Sequence, residues 1–166
     1  MSAPRPSLTE GEIPVSATAA DHPFVRVRVA ALMSHPIVTV APEATLWQAR
    51  ATMSAHGVHH LLVSDRGRVV AVLSDRDIAH RLGPAAARGR GSRHEAEAME
   101  RRVLQVATFD MVTIAAEASV EEAAALILER GISGLPVMDG RGECVGIVTS
   151  RDLLRGLLAC VLPQAA

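Results

Sequence analysis

Two segments of this chain close on one pattern, an apolar strand running into Ser/Thr-x-Arg-Asp. They are Val69-Val70-Ala71-Val72-Leu73-Ser74-Asp75-Arg76-Asp77-Ile78 and Cys144-Val145-Gly146-Ile147-Val148-Thr149-Ser150-Arg151-Asp152-Leu153. The match extends upstream: Thr39, Glu43, Leu46, Ala49, Met53, Gly57, Leu61 and Val63 fall opposite Thr113, Glu117, Val120, Ala123, Ile127, Gly131, Leu135 and Val137. The offset is 74 residues over that stretch and 75 after the hairpin, where Asp77 meets Asp152. A unit that repeats at this length buries its apolar face against its copy. Function is therefore expected where the copies meet.

Each copy reads β-α-β-β-α. Ile37-Val38-Thr39-Val40 is a short β run, and Thr45-Leu46-Trp47-Gln48 has the spacing of a capping box, as does Ser119-Val120-Glu121-Glu122. Leu46, Ala49 and Met53, and in the second copy Val120, Ala123, Ala124 and Ile127, form an apolar helical stripe that Gly57 and Gly131 terminate. A strand, a turn rich in Asp, Gly and Arg, a second apolar strand and a helix from Ser74 or Thr149 complete each unit. The lead-in is ambiguous: Val25 to Val29 alternates at period two, whereas Ala30-Ala31-Leu32-Met33 suits a short helix. Gly83 to Gly91 reads as a linker, and Glu95 to Val106 as a helix bringing the chain back. The expected organisation is a flexible tail over 1–24, a first motif with its lead-in over 25–82, a linker and return segment over 83–104, a second motif over 105–160 and a short tail over 161–166.

With 166 residues, 49% of them hydrophobic, one compact domain burying roughly 70% of its unfolded surface is expected. All 17 cationic residues are Arg, which fits a GC-rich coding sequence, and the formal net charge of -1 argues against a general nucleic-acid or membrane-surface role. Cys144 and Cys160 make neither a disulfide framework nor a metal site, which points to a reducing, cytoplasmic setting. Met1 to Pro23 has no apolar run of the kind a signal peptide or membrane anchor needs.

With its two matched copies, above all Gly131-Ile132-Ser133-Gly134-Leu135-Pro136-Val137-Met138-Asp139 and Gly146 to Leu153, the chain resembles a tandem pair of cystathionine-beta-synthase-type (CBS) domains over Ala31 to Leu158. The resemblance implies an α/β (α+β) fold with two β-α-β-β-α motifs packed about a pseudo-twofold axis and two clefts between them. It also implies an adenine nucleotide (AMP, ADP or ATP) or S-adenosyl compound as regulatory ligand, with no catalytic cofactor and no enzymatic activity. A homodimer and an unidentified effector protein are the implied partners.

Carried over by position, Asp152, Thr149 and Ile147 would face Thr39, Ala44, Val58 and His59. In the other cleft Asp77, Ser74 and Leu73 would face Thr113, Ala118, Ile132 and Ser133. The Asp carboxylates would offer both oxygens to a ribose diol, and the hydroxyl and free amides at the helix start would hold a phosphate. Arg76 and Arg151 are either phosphate partners or solvated first-turn residues. His59 and His60 in the first copy stand where the second has Ser133 and Gly134, so the clefts should not be equivalent; Leu62 also replaces the Pro that Pro136 retains.

Other readings compete. Ser/Thr-x-x-Asp is also a capping-box variant with no ligand role. His56, His59 and His60 suggest zinc, but Gly57 breaks the helix and adjacent strand residues point apart, so no metal is expected. Trp47 suits the core or a dimer contact better than base stacking, and no nucleophile-base-acid set is present. The alternative function is a ligand-free dimerisation scaffold.

Overall fold

A computed structural model describes residues 27–82 and 93–161. The expected tail, Val25 and Arg26 of the lead-in, the whole of the expected Gly83 to Gly91 linker and the last five residues lie outside the described residues. In chain order the elements are α1 (Val29–Leu32), β1 (Thr39–Val40), α2 (Leu46–His56), β2 (His60–Asp65), β3 (Arg68–Ser74), α3 (Asp75–Leu82) and α4 (Arg93–Met99), followed by a 3-10 turn (Val103–Gln105). Then come β4 (Ile114–Ala115), α5 (Val120–Arg130), β5 (Gly134–Met138), β6 (Cys144–Thr149) and α6 (Ser150–Val161). Each copy builds a three-stranded sheet, β1-β2-β3 or β4-β5-β6, with a parallel first pair and an antiparallel hairpin. Both motifs are thus β-α-β-β-α.

The helices start and stop where their caps dictate. Thr45 and Ser119 accept the amide hydrogen bonds of Gln48 and Glu122, whose side chains return the bond to the cap amides. Gly57 and Gly131 end α2 and α5 in the left-handed conformation, both at φ 63°, which costs a glycine little. The apolar stripes face two separate cores, one around Leu46, Met53, Leu61 and Leu73, the other around Val120, Ile127, Leu135 and Val148. Trp47 is half exposed on α2 and not part of the core.

The segments leading into the two motifs are exchanged. Val29, fully buried, belongs to the second copy's core, and Val103, its partner at the 74-residue offset, is fully buried in the first. Val29 and Ala30 donate their amides to Ala118 and Ala116, while Val103 and Leu104 donate theirs to Ala44 and Pro42. Arg28 Nη1 donates to the Glu117 carbonyl at 2.9 Å, and Arg102 Nη1 to the Glu43 carbonyl at 2.7 Å. Further along, Ser34 bridges to Ile147 on β6 and Thr108 to Val72 on β3, so each sheet gains an edge from the other copy's arm. The helix expected over Glu95 to Val106 is α4 followed by this arm, because the Arg101 carbonyl and the Val103 and Leu104 amides bond to Leu46, Ala44 and Pro42 of the first copy and interrupt the helical ladder. Gly146 makes room for the first arm: a Cβ there would lie 2.5 Å from Met33 Sδ.

At the centre, His60 Nε2 is hydrogen-bonded to Ser133 Oγ across the two copies at 2.9 Å. The position repeating His60 is Gly134, and a Cβ on it would stand 3.3 Å from the His60 ring. One large side chain therefore fills a space that two could not share.

Val29→Ala and Val103→Ala should each lower the unfolding free energy by about 2 kcal/mol, read from the urea midpoint at constant slope, while Leu104→Ala at an exposed site should change it by less than about 0.5 kcal/mol. Burial holds the His60 pKa below its ordinary value against the opposing pull of Asp75 and Asp77. The unfolded chain therefore takes up that proton more readily. The stability involved is complete above about pH 6.5 and is lost as pH falls through the lower folded-state value. His60→Gln should flatten the fall in urea midpoint between about pH 7 and pH 5; an unaltered profile would count against this origin.

Candidate functional site

Two clefts lie where the copies meet, of 380 Å³ and 180 Å³. Only the larger falls in the range of about 300–1,000 Å³ usual for small-molecule sites. Each is assembled from three pieces: an arm, the start of the strand after the first helix, and the strand-to-helix junction of the other copy. In the larger cleft these are the Ser34 to Val38 arm, Val58 to His60, and the junction from Ile147 to Asp152. In the smaller they are Thr108 to Val112, Gly131 to Gly134, and the junction from Val72 to Asp77.

The junctions carry the carboxylates. Asp152 Oδ2 accepts from the Thr149 amide at 2.9 Å and the Thr149 hydroxyl at 2.6 Å. Asp77 Oδ2 does the same with Ser74, at 2.7 Å and 2.6 Å. The capping function is therefore made in both copies, and it uses one oxygen of each carboxylate. The expectation that both oxygens would be offered to a diol is corrected accordingly, because the two lone-pair directions of Oδ2 are already taken. Asp152 Oδ1 remains among cleft-lining groups, 3.4 Å from Ser34 Oγ and 3.9 Å from Arg155 Nη1. Oδ1 accepts from the Ser34 hydroxyl and keeps one lone-pair direction for a ligand hydroxyl, two where the ligand displaces Ser34 Oγ.

The larger cleft has an apolar side formed by Val38, Val58, Leu62 and Ile147 and a charged side that includes Arg76, Arg151 and Arg155. His59 Nδ1 lies 2.8 Å from Asp75 Oδ2, which orients the ring and leaves Nε2 without that partner. The smaller cleft has Val72, Val112 and Ile132 as apolar lining and Arg76, Asp77 and Asp110 as its charged lining residues. His56 is turned away, its Nδ1 on the Thr52 carbonyl at 3.0 Å, so the three neighbouring histidines go to three different places.

Of the residues anticipated for the larger cleft, Asp152, Thr149, Arg151, Ile147, Val58 and His59 line it. His60 lines both clefts. Thr39 and Ala44 do not: Thr39 is exposed on the strand face opposite Val38 and Val40, and Ala44 packs against the first core. In the smaller cleft Asp77, Ser74, Arg76, Ile132 and Ser133 are brought together, while Thr113 is exposed and Ala118 packs against the second core. Leu73 is fully buried in the first core, and its neighbour Val72 takes the cleft position. The cause is the hairpin: β5–β6 has one more turn residue than β2–β3, so Ile147 corresponds to Val72 at offset 75 and not to Leu73 at offset 74. Alternation along the strand then turns Leu73 inward.

The arms and several junction residues were not anticipated: Ser34, Pro36, Val38, Asp75, Ser150 and Arg155 in the larger cleft, Thr108, Asp110, Met111 and Val112 in the smaller. The signal for the arms was the same offset carried further upstream, which pairs Ser34 with Thr108 and Val38 with Val112.

The CBS domain family model matches this chain twice, over residues 29–83 and 103–159. A CBS domain-containing protein of Dictyostelium discoideum is 32% identical over 143 residues, covering 84% of this chain and 97% of that protein. An uncharacterised protein of Methanocaldococcus jannaschii is 28% identical over 141 residues, covering 81% of this chain, and here the chain spans 50% of the relative's length. Among solved structures, the CBS domain pair of protein MJ0100 in complex with 5′-methylthioadenosine and S-adenosyl-L-methionine aligns with a TM-score of 0.67 at 25% identity, covering 80% of this chain and 97% of that one. Because the family matches take in both sheets and both closing helices, the chain belongs to the CBS domain family as a tandem pair of its motifs.

Proposed function

We propose that this chain is a regulatory module that binds an adenine nucleotide or a related adenosyl compound in the larger cleft between its two CBS motifs. The observation that carries the reading is Asp152: 8% exposed, with Oδ2 fixed in the cap of α6 and Oδ1 directed among cleft groups. A ribose offers two adjacent hydroxyl donors; an oxygen held in place by the helix cap accepts one of them as it stands and the second in exchange for the Ser34 hydroxyl. The apolar side suits the base, and Arg151, Arg155 and the oriented His59 suit a phosphate at the other end. The adenosyl ligands of the MJ0100 pair support the same ligand class.

Ligand contacts drawn from both motifs favour one relative arrangement of the two, by the difference in affinity between arrangements. The module then acts on a partner protein or a second copy of itself, not by catalysis. Among the described residues no helix is long and apolar enough to cross a membrane. A ligand-free pairing scaffold is the second reading, favoured by Leu128 on α5 with Leu154, Leu157 and Leu158 on α6, all substantially exposed.

Isothermal titration with AMP, ATP, 5′-methylthioadenosine and S-adenosylmethionine separates the two. At least one should bind to the wild type, and Asp152→Ala should weaken it about tenfold or more while lowering stability by about 1 kcal/mol through the lost cap. Absence of heat and of thermal shift at millimolar concentrations of all four would leave the scaffold. Unchanged affinity in Asp152→Ala, with the stability loss intact, would reduce the aspartate to a cap.

A further inference from the structure

The two clefts share part of their lining. His60, Arg76 and Ser133 belong to both. His60 and Ser133 are bonded to each other and, with the ring against Gly134, form the partition. Arg76 differs from them in being an exposed cation on the first turn of α3.

The charge around this shared group is uneven. On the larger side Arg76 is joined by Arg151 and Arg155, set against Asp75 and Asp152. On the smaller side it is the one arginine among the described residues of the lining, with Asp77 and Asp110 beside it there. Asp110 is a departure from the repeat, its counterpart in the larger cleft being Pro36.

We propose that Arg76 is shared between the clefts, so that a phosphorylated ligand in the larger one withdraws it and leaves the smaller fit only for an uncharged nucleoside. This rests on the adenosyl reading above. A guanidinium bonded to a phosphate on one side cannot also bond one on the other, where Asp77 and Asp110 share the lining. A second phosphate would then meet Asp77 and Asp110 alone. An uncharged nucleoside meets no such repulsion and still finds the Asp77 carboxylate for its hydroxyls.

Isothermal titration of the full chain with AMP and, separately, adenosine tests this. In Asp152→Ala the larger cleft binds AMP about tenfold or more weakly, so at AMP concentrations that do not fill it Arg76 is left to the smaller cleft. There AMP should bind about tenfold or more tightly than in the wild type's second step, a coupling of ordinary allosteric size, while adenosine binds the smaller cleft equally in both proteins. A wild-type second AMP step too weak to detect, beside a measurable one in Asp152→Ala, is the same result. Arg76→Gln, at an exposed site, supplies an independent measurement. It should weaken the first AMP step and leave the second unchanged, since the arginine is already withdrawn when that step occurs. Equal AMP constants for the smaller cleft in wild type and Asp152→Ala, or an Arg76→Gln effect confined to the second step, would overturn the sharing. If adenosine binds while the AMP steps are independent, only the sharing fails; if neither compound binds any of the proteins, the adenosyl reading fails with it.

Discussion

Val29 and Val103 are each sealed in the core built by the other copy, and this exchange of arms is the constraint on which the rest of the molecule depends. Two sheets packed by apolar contact alone could slide, because hydrophobic burial is not directional. The arms add direction. Each is fixed by backbone hydrogen bonds to the turn before the opposite helix, by an arginine on a carbonyl, and by an edge bridge to the opposite sheet. Because the arms themselves line the clefts, the same contacts that join the copies also set the distance across which a ligand must reach.

A duplicated unit begins symmetric, and the departures from symmetry show where the two clefts diverge. His60 against Gly134 is required by packing: on an axis relating two copies, one ring occupies the room of two side chains. Once the histidine belongs to one copy, its neighbours differ as well. His59 with Asp75 gives the larger cleft an oriented imidazole, where Ser133 and Ser150 stand in the other copy. Pro36 against Asp110 adds a carboxylate to the smaller side alone. Volume and charge thus vary together, the larger cleft being also the more cationic.

Much of this was legible in the sequence because it is local. Capping boxes at Thr45 and Ser119, glycine stops at Gly57 and Gly131 and the alternating strands are short-range signals, and the repeat turns each into two concordant observations. The Asp and Arg of each junction were likewise found from a four-residue pattern. What escaped was long-range or depended on register. The arms share few identities beyond Arg28 with Arg102 and Val29 with Val103, since an arm that bonds through its backbone constrains few side chains. Leu73 was misplaced by a single turn residue, and at period two a single residue exchanges core for cleft.

The two readings of Ser/Thr-x-x-Asp, cap or ligand group, turn out to be two halves of one device. A carboxylate has two oxygens, and the cap consumes one of them through a pair of short bonds that also fix the side-chain rotamer. The second oxygen inherits that rigidity at no further entropic cost, which a longer glutamate, with an additional torsion, would not supply. This explains why Asp occupies a position where a capping box favours Glu or Gln, as at Gln48 and Glu122 in the same chain. It follows that whatever binds Oδ1 also bears on the start of α6, because a ligand that holds Oδ1 in place holds the rotamer that keeps Oδ2 on the Thr149 amide. Occupancy of the cleft and order at the helix start are then linked, and the linkage runs both ways.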